Sequence, residues 1–99
     1  MKYYFYKLIP PRPNFAQSMT EDEIKIMQAH VQYWTDILNR GLAIAFGPVA
    51  DPNGGYGVGI IQLPDDSDPS TLRDNDPAVK AGVGFVSKVY PMPKVMLKQ

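Results

Sequence analysis

Residues 42–63, LAIAFGPVADPNGGYGVGIIQL, decide the fold class of this chain. Two apolar runs, residues 42–49 and 56–63, flank the segment DPNGG, whose composition is typical of a hairpin loop. The pattern therefore predicts two consecutive antiparallel strands. Neither run alternates apolar and polar residues, as a strand with one solvated face does. Both faces of this part of the sheet are expected to be covered.

A strand and a long helix are predicted upstream of this hairpin. Residues 3–9, YYFYKLI, are mostly aromatic or β-branched, and the prolines that follow end the first predicted strand. After a connection over residues 12–19, Thr20-Glu21-Asp22-Glu23 has the pattern of a capping box, and apolar residues then recur at helical spacing. The helix is predicted over residues 21–40, with an apolar stripe made of Ile24, Met27, Val31, Trp34 and Leu38.

Downstream of the hairpin, residues 68–82 are predicted to form a short, broken second helix. Pro69 and the pair Asp76-Pro77 suit the start of helical turns, because proline is favoured at the first helical position and aspartate caps it. The last strand is predicted over residues 83–90, ended by Pro91. The order βαββαβ is the ferredoxin-like arrangement, an α+β fold with a four-stranded antiparallel sheet.

The second face of this sheet needs a cover, because the helices of a ferredoxin-like fold lie on one face. A second copy of the chain would supply that cover economically. Ten basic residues balance ten acidic ones, so little charge repulsion opposes self-association. We expect a homodimer, or a dimer of dimers, in which two sheets pack into one α+β barrel.

The composition favours a single domain, residues 1–99, and excludes several kinds of chemistry. A net charge of zero gives no broad attraction to nucleic acids or anionic membranes, so neither is an expected partner. The chain has no cysteine and one histidine, which excludes disulfides, thiolate chemistry and a cage of several histidines in one subunit. The N-terminus lacks the pattern of a signal peptide, and the cytoplasm is the expected location.

Three motifs resemble functional sites, and a structural role is the favoured interpretation of each. The glycines of residues 54–59 run from a turn into a strand, whereas phosphate-binding loops run from a strand into a helix. Residues 82–87, GVGFVS, resemble an RNA-recognition pattern, but Val83 and Lys88 stand where stacking aromatic residues belong. The acidic residues between 65 and 76 lack the spacing of a calcium loop, so helix capping is expected and no metal site.

His30 is the single histidine and the side chain best suited to acid–base chemistry. On a helical wheel it flanks the apolar stripe, next to Ile26, Tyr33, Trp34 and Ile37, and is expected to be partly buried. One interpretation is a packed histidine that is hydrogen-bonded to backbone or water. The other is a general acid–base whose second ring nitrogen is oriented by a carboxylate. The sequence pattern by itself favours the first interpretation.

The sequence resembles the YCII-related domain family over nearly its whole length. The features that carry the resemblance are His30 in the first helix, Arg40-Gly41, Gly47-Pro48, the glycine-rich loop, Asp76-Pro77 followed by Val79 and Ala81-Gly82, and Val89-Tyr90-Pro91. No single feature is specific; their combination is. The proline-rich segment at residues 10–19 is longer than the family pattern, and we expect it to reshape the mouth of a cleft.

The resemblance implies a ferredoxin-like subunit that dimerises into an α+β barrel, in agreement with the strand pattern. It also implies that His30 and Asp76 form a pair in a cleft, with His30 moving a proton and Asp76 setting its tautomer. A related dehydrochlorinase acts on a chlorinated aromatic diol, and muconolactone isomerases share the barrel. We therefore expect a lyase or isomerase that needs no cofactor and acts on a small cyclic or aromatic compound, with Trp34 and Phe46 as cleft walls.

Other interpretations stay open at this point. The chain could instead be a non-catalytic module that binds a small ligand or another protein, and His30 would then have no carboxylate partner. Trp34 and Phe46 could be ordinary core residues. Asp76 could serve only as the helix cap before Pro77.

Overall fold

The computed structural model describes residues 1–98 and shows a four-stranded antiparallel sheet with helices against one face. The strands are β1 (Lys2–Ile9), β2 (Ala43–Val49), β3 (Tyr56–Leu63) and β4 (Val86–Met92), and the helices are α1 (Phe15–Ser18), α2 (Glu21–Asn39), α3 (Ser70–Asp74) and α4 (Pro77–Lys80). The strand order is β2-β3-β1-β4, and every neighbouring pair is antiparallel. This is the ferredoxin-like arrangement, so the predicted fold class is confirmed.

Helix α2 begins at the predicted capping box. The hydroxyl of Thr20 accepts from the backbone N–H of Glu23 at 3.2 Å, and the Glu23 carboxylate accepts from the backbone N–H of Thr20 at 2.9 Å. The helix ends at Asn39, and Gly41 follows with a φ of +77°, a conformation that glycine adopts without strain. None of the helices within residues 1–98 has the length and apolar character needed to cross a bilayer.

The core lies between α2 and one face of the sheet. Its buried apolar side chains are Tyr6, Leu8, Trp34, Ile37, Ala43, Ile61, Leu63 and Ala78. The predicted apolar stripe of α2 is partly wrong, since Ile24 and Val31 are 41% and 49% exposed, whereas His30 and Ile37 are buried. The helix is rotated so that His30 points inward, because its ring has a buried polar partner, Asp76, at the N-cap of α4.

The opposite face of the sheet is not covered by the chain itself. Phe5 lies directly opposite Ile60 on β3 and Tyr90 on β4, so these three side chains share the face that points away from α2. Phe5 and Ile60 are half-buried, and Tyr90 is 48% exposed. The two-sided apolar pattern of the sequence thus corresponds to a covered face and an open apolar face in a single chain.

The predicted connection over residues 12–19 contains the short helix α1. Phe15, at its first position, is buried, and its ring meets that of Phe85 edge-on with 5.2 Å between the ring centres. The turn between β2 and β3 lies within the predicted hairpin: the backbone N–H of Gly54 donates to the carbonyl of Asp51 at 3.0 Å, and Gly54 adopts a φ of +140°. The glycine run therefore serves the hairpin geometry, as the sequence indicated.

The last strand is displaced from its predicted position by a few residues. It begins at Val86 rather than residue 83, because Gly82 and Gly84 take φ values of +66° and +107° that break an extended backbone. It also continues through Pro91, which was predicted to end it. Strand β4 lies at the sheet edge, where the missing N–H of a proline costs no ladder hydrogen bond.

We expect Ile37→Ala to lower the free energy of unfolding by about 2–5 kcal/mol, since it leaves a cavity between α2 and the sheet. Ile24→Ala is the matched control on the same helix, and its exposed side chain should cost less than about 1 kcal/mol. Urea unfolding followed by far-ultraviolet circular dichroism measures both. Equal losses in the two variants would contradict the burial assignment.

Candidate functional site

The site is built around the carboxylate of Asp76, which is fully buried. Four donors reach its two oxygens: Nδ1 of His30 at 2.9 Å, Nε1 of Trp34 at 2.8 Å, the hydroxyl of Tyr6 at 2.9 Å and the backbone N–H of Ala78 at 2.9 Å. These donors belong to β1, α2 and α4. One carboxylate therefore joins the first strand, the long helix and the last helix.

The Asp76 carboxylate is ionised in spite of its burial. Burial raises the pKa of Asp76, but the hydrogen bond and charge of His30, with the bonds from Trp34 and Ala78, outweigh that effect and hold the pKa below its usual range. The pKa of Tyr6 is raised far above its usual range, first by burial and then by the neighbouring Asp76 charge. Tyr6 thus keeps its proton and acts as a donor.

This contact fixes the tautomer of His30. An ionised carboxylate only accepts hydrogen bonds, so Nδ1 of His30 carries the proton that lies between the two groups. In the neutral ring, Nε2 is then unprotonated and can accept a proton. Every buried side-chain nitrogen and oxygen within residues 1–98 has a partner, and Nε2 bonds to no other group there, so Nε2 is not buried.

A cleft of about 780 Å³ opens beside His30. Its volume falls in the range of roughly 300–1,000 Å³ that is usual for small-molecule sites. Helix α2 contributes Met27, Val31 and Trp34 to its wall, and Phe46 of β2 stands across from them. The exposed Val31 of α2 is therefore accounted for, since it borders this cleft rather than the core.

The proline-rich segment at residues 10–19 forms another wall of the cleft, as expected. Arg12 anchors this segment, because its guanidinium donates to both oxygens of Glu23, at 2.7 and 2.9 Å. It also donates to the side chain and backbone oxygens of Ser18, at 2.8 and 2.6 Å. The hydrogen bond from Arg12 lowers the pKa of Glu23 to about 2. Phe15 is thereby held at the cleft.

The structure brings together all four residues that the sequence singled out. His30 and Asp76 are in contact, and His30, Trp34 and Phe46 border the cleft. Trp34 is also a core residue and a donor to Asp76, and Asp76 also caps α4 through Ala78. The structural and functional interpretations of these residues are therefore compatible. Their catalytic and substrate-binding roles stay predictions.

The contribution of Tyr6 was missed in the sequence. Tyr6 lies within an aromatic strand that contains other tyrosines, but those tyrosines do not bond to Asp76. Only the position of β1 next to α2 and α4 in the fold selects Tyr6 as a partner of Asp76, and no local motif marks it.

Three other acidic residues between 65 and 76 have separate partners. Asp65 pairs with the N-terminal ammonium at 3.0 Å, Asp68 accepts from the backbone N–H of Ser70 at 2.9 Å, and Asp74 pairs with Arg73 at 2.9 Å. In the described part of the chain, residues 1–98, no group of three or more histidine, cysteine or acidic side chains could hold a metal ion.

These features define a ferredoxin-like α+β domain that carries a buried histidine–carboxylate pair at the edge of an apolar cleft. The chain belongs to the YCII-related domain family, whose profile matches residues 1–93. The family assignment made from the sequence is thus confirmed. A comparison with curated proteins gives no significant match.

The solved structures that are similar to this chain include the following two. One is 5-chloro-2-hydroxyhydroquinone dehydrochlorinase from Burkholderia phenoliruptrix AC1100 in complex with 2,5-dihydroxybenzoquinone, with a TM-score of 0.54, 19% identity, and coverage of 86% of this chain and 90% of that chain. This similarity supports the fold. The other is a formyltetrahydrofolate deformylase from Pseudomonas putida KT2440, with a TM-score of 0.45, 10% identity, and coverage of 91% of this chain and 28% of that chain. That similarity is too low to support any inference.

Asp76→Asn is expected to lower the free energy of unfolding by about 1–3 kcal/mol at neutral pH, because an amide nitrogen would face buried donors. Neither the indole N–H of Trp34 nor the backbone N–H of Ala78 can accept a hydrogen bond. Since the pKa of Asp76 is lowered by folding, its contribution is present above the unfolded pKa of about 4 and is lost as the pH falls through the lower folded value. The difference between wild type and variant should therefore narrow in acid, as measured by urea unfolding across pH.

Asp68→Asn is the matched control for this measurement. Asp68 accepts an N–H two residues ahead, as Asp76 does, but it is exposed to solvent. Asparagine caps nearly as well as aspartate, so the expected change is within about 0.5 kcal/mol. Losses of similar size in both variants would show that capping alone explains the role of Asp76.

Proposed function

We propose that this chain is an enzyme that moves a proton in an elimination or isomerisation of a small cyclic or aromatic compound. The observation that carries the proposal is the bond between Nδ1 of His30 and Asp76, which leaves Nε2 as a base beside an apolar cleft. A perturbed carboxylate paired with a histidine in a cleft is a common arrangement for acid–base catalysis. Trp34 and Phe46 would hold the ring of the substrate.

In this mechanism Nε2 of neutral His30 accepts a proton from a C–H or O–H bond of the bound compound, and the electron pair of that bond stays on the compound. In an elimination this pair forms a new double bond, and the leaving group departs with its own bonding electrons. In an isomerisation the pair shifts along the compound, and His30 returns the proton to another carbon. The carboxylate of Asp76 stabilises the imidazolium without taking its proton. The reaction uses no cofactor.

The dehydrochlorinase similarity supports the elimination branch of this proposal. That protein removes the elements of hydrogen chloride from a hydroxylated ring, as its name states, and its fold resembles that of this chain over most of both lengths. The support lies in the shared fold taken together with the His30–Asp76 pair found here, because 19% identity alone does not transfer a reaction.

A non-catalytic ligand-binding module is the second candidate. The observation that favours it is the number of donors on Asp76, which gives the carboxylate a structural role whether or not chemistry occurs. The presence of a carboxylate partner for His30 counts against it, since a plain binding module would need no fixed tautomer. Both candidates use the same cleft and differ in whether a proton moves.

We further propose that the chain works as a homodimer whose open sheet faces pack together. Phe5, Ile60 and Tyr90 would form the centre of that interface, and a stable association would bury at least about 1,200 Å² in total. Large exposed apolar faces are unusual for monomers. A cytoplasmic location, expected from the sequence, stays a prediction.

His30→Ala is expected to reduce turnover by at least about 100-fold, because it removes the group that accepts the proton. The measurement incubates hydroxylated and chlorinated ring compounds with the protein in D2O, then follows exchange of ring hydrogens by NMR and release of chloride by ion chromatography. Val31→Ala is the control, since it alters the cleft wall next to His30 and leaves Nε2 in place. Activity that survives in His30→Ala, or an inactive wild type across the set of compounds, would favour the binding module.

Ile60→Lys is expected to yield a monomer, or insoluble protein, because it places a charge at the centre of the open face. Ile24→Lys makes the same chemical change on the exposed side of α2 and should leave the dimer intact. Light scattering at micromolar concentration measures the mass of each. A wild-type protein with the mass of one chain would rule out the proposed dimer.

A further inference from the structure

We infer that the cleft beside His30 takes an uncharged, hydroxylated ring compound and disfavours carboxylates and phosphates. The inference rests on the proposed function and adds to it the chemical class of the substrate. It is drawn from the charges around the cleft, which are distributed unevenly: Asp51 borders the cleft, the buried Asp76 lies behind His30, and basic side chains are held outside the cleft.

Within residues 1–98, no lysine or arginine borders the cleft. Proteins bind carboxylates and phosphates mainly through arginine, lysine or free backbone amides. Two amides of the wall segment, those of Phe15 and Gln17, are already bonded to the carbonyl groups of Arg12 and Asn14, at 3.2 and 3.0 Å. An anion that entered the cleft would therefore lose water without gaining strong donors in return.

Two basic side chains contact the rings of lining residues from outside the cleft. The guanidinium of Arg12 lies 5.1 Å from the ring centre of Phe15, and its charge is balanced by the two bonds to Glu23. The ammonium of Lys7 lies 4.4 Å from the ring centre of Tyr56. Lys7 extends from the open face of the sheet, on the side away from α2. Neither charge is directed at a ligand beside His30.

The negative groups of the site favour a ligand that arrives neutral. Asp76 carries one charge beside His30, and Asp51 places a second acidic side chain at the cleft. When a neutral ring compound gives a proton to Nε2, the net charge of the site does not change, and the new imidazolium lies between Asp76 and the ligand anion. A ligand that is already anionic adds a charge of the same sign in a medium that screens poorly. Proton transfer from an O–H or C–H of a neutral ring therefore fits this cleft.

The test compares ring compounds that differ only by a carboxylate: hydroquinone with 2,5-dihydroxybenzoate, and catechol with 3,4-dihydroxybenzoate. The chain has one tryptophan and one histidine, so the indole N–H of Trp34 and the ring C–H groups of His30 are unambiguous NMR probes. Both residues border the cleft, and both bond to Asp76. We expect the neutral member of each pair to shift both probes and the carboxylate to bind at least about 10-fold more weakly.

A matched pair of variants tests whether the lack of a cation at the cleft causes the weaker binding of carboxylates. Val31→Arg places a guanidinium at the cleft and should strengthen carboxylate binding by about 10-fold relative to binding of the neutral compound. Ala29→Arg adds the same charge to the same helix outside the cleft, and it should leave both affinities unchanged. Equal effects of the two variants would mean that net charge, not cleft chemistry, controls selection.

Three outcomes in the wild-type protein would overturn the inference. Carboxylates that bind as tightly as the neutral compounds would mean that a cation, such as Lys7 of a second copy, reaches the cleft. No shift from any of these compounds would mean that the cleft does not bind hydroxylated rings. Neutral selectivity without proton exchange or chloride release would instead overturn the proposed enzymatic function and leave this inference standing. Turnover of a carboxylated ring would overturn this inference and leave the proposed enzymatic function standing.

Discussion

The rest of the structure depends on one buried anion, the carboxylate of Asp76. Moving a carboxylate out of water costs several kcal/mol unless hydrogen bonds replace its hydration. The replacement here comes from side chains on β1 and α2 and from a backbone amide at the start of α4. Because these donors are far apart in sequence, the carboxylate is satisfied only when strand and helices have docked in one arrangement. The hydrogen bonds of the site therefore form as a consequence of the fold, and they also stabilise it.

This constraint explains which parts of the molecule could be predicted from sequence. The capping box at Thr20 and the Asp76-Pro77 turn use neighbours in the chain, so local pattern was enough. The rotation of α2 was predicted incorrectly, because a helical wheel ranks positions by apolarity and cannot register the polar partner that draws His30 inward. The His30–Asp76 pair was reached through family resemblance alone. The bond from Tyr6 joins residues that are 70 positions apart and have no shared motif, so it required the three-dimensional fold.

The two nitrogen atoms of His30 divide its roles. Nδ1 contributes to the packing of the domain through Asp76, and Nε2 remains available to a ligand. The sequence presented a packed histidine and an acid–base group as alternatives, and the structure is compatible with both. Tyr6 and Trp34 support both roles, because each donates a hydrogen bond to Asp76. The carboxylate therefore stays ionised and keeps His30 in the tautomer that exposes a basic nitrogen.

The open face of the sheet and the cleft are not independent surfaces. Val49 and Tyr56 lie opposite each other at the ends of β2 and β3, and both border the cleft. By strand alternation their side chains share the open face with Phe5 and Ile60. A second copy packed on that face would therefore touch the rim of the cleft and exclude water from part of it. Excluding water would strengthen the interaction between Asp76 and a charged His30 ring, because charges are screened less in a drier site. On this physical basis, self-association and proton transfer would be coupled in the dimer proposed here.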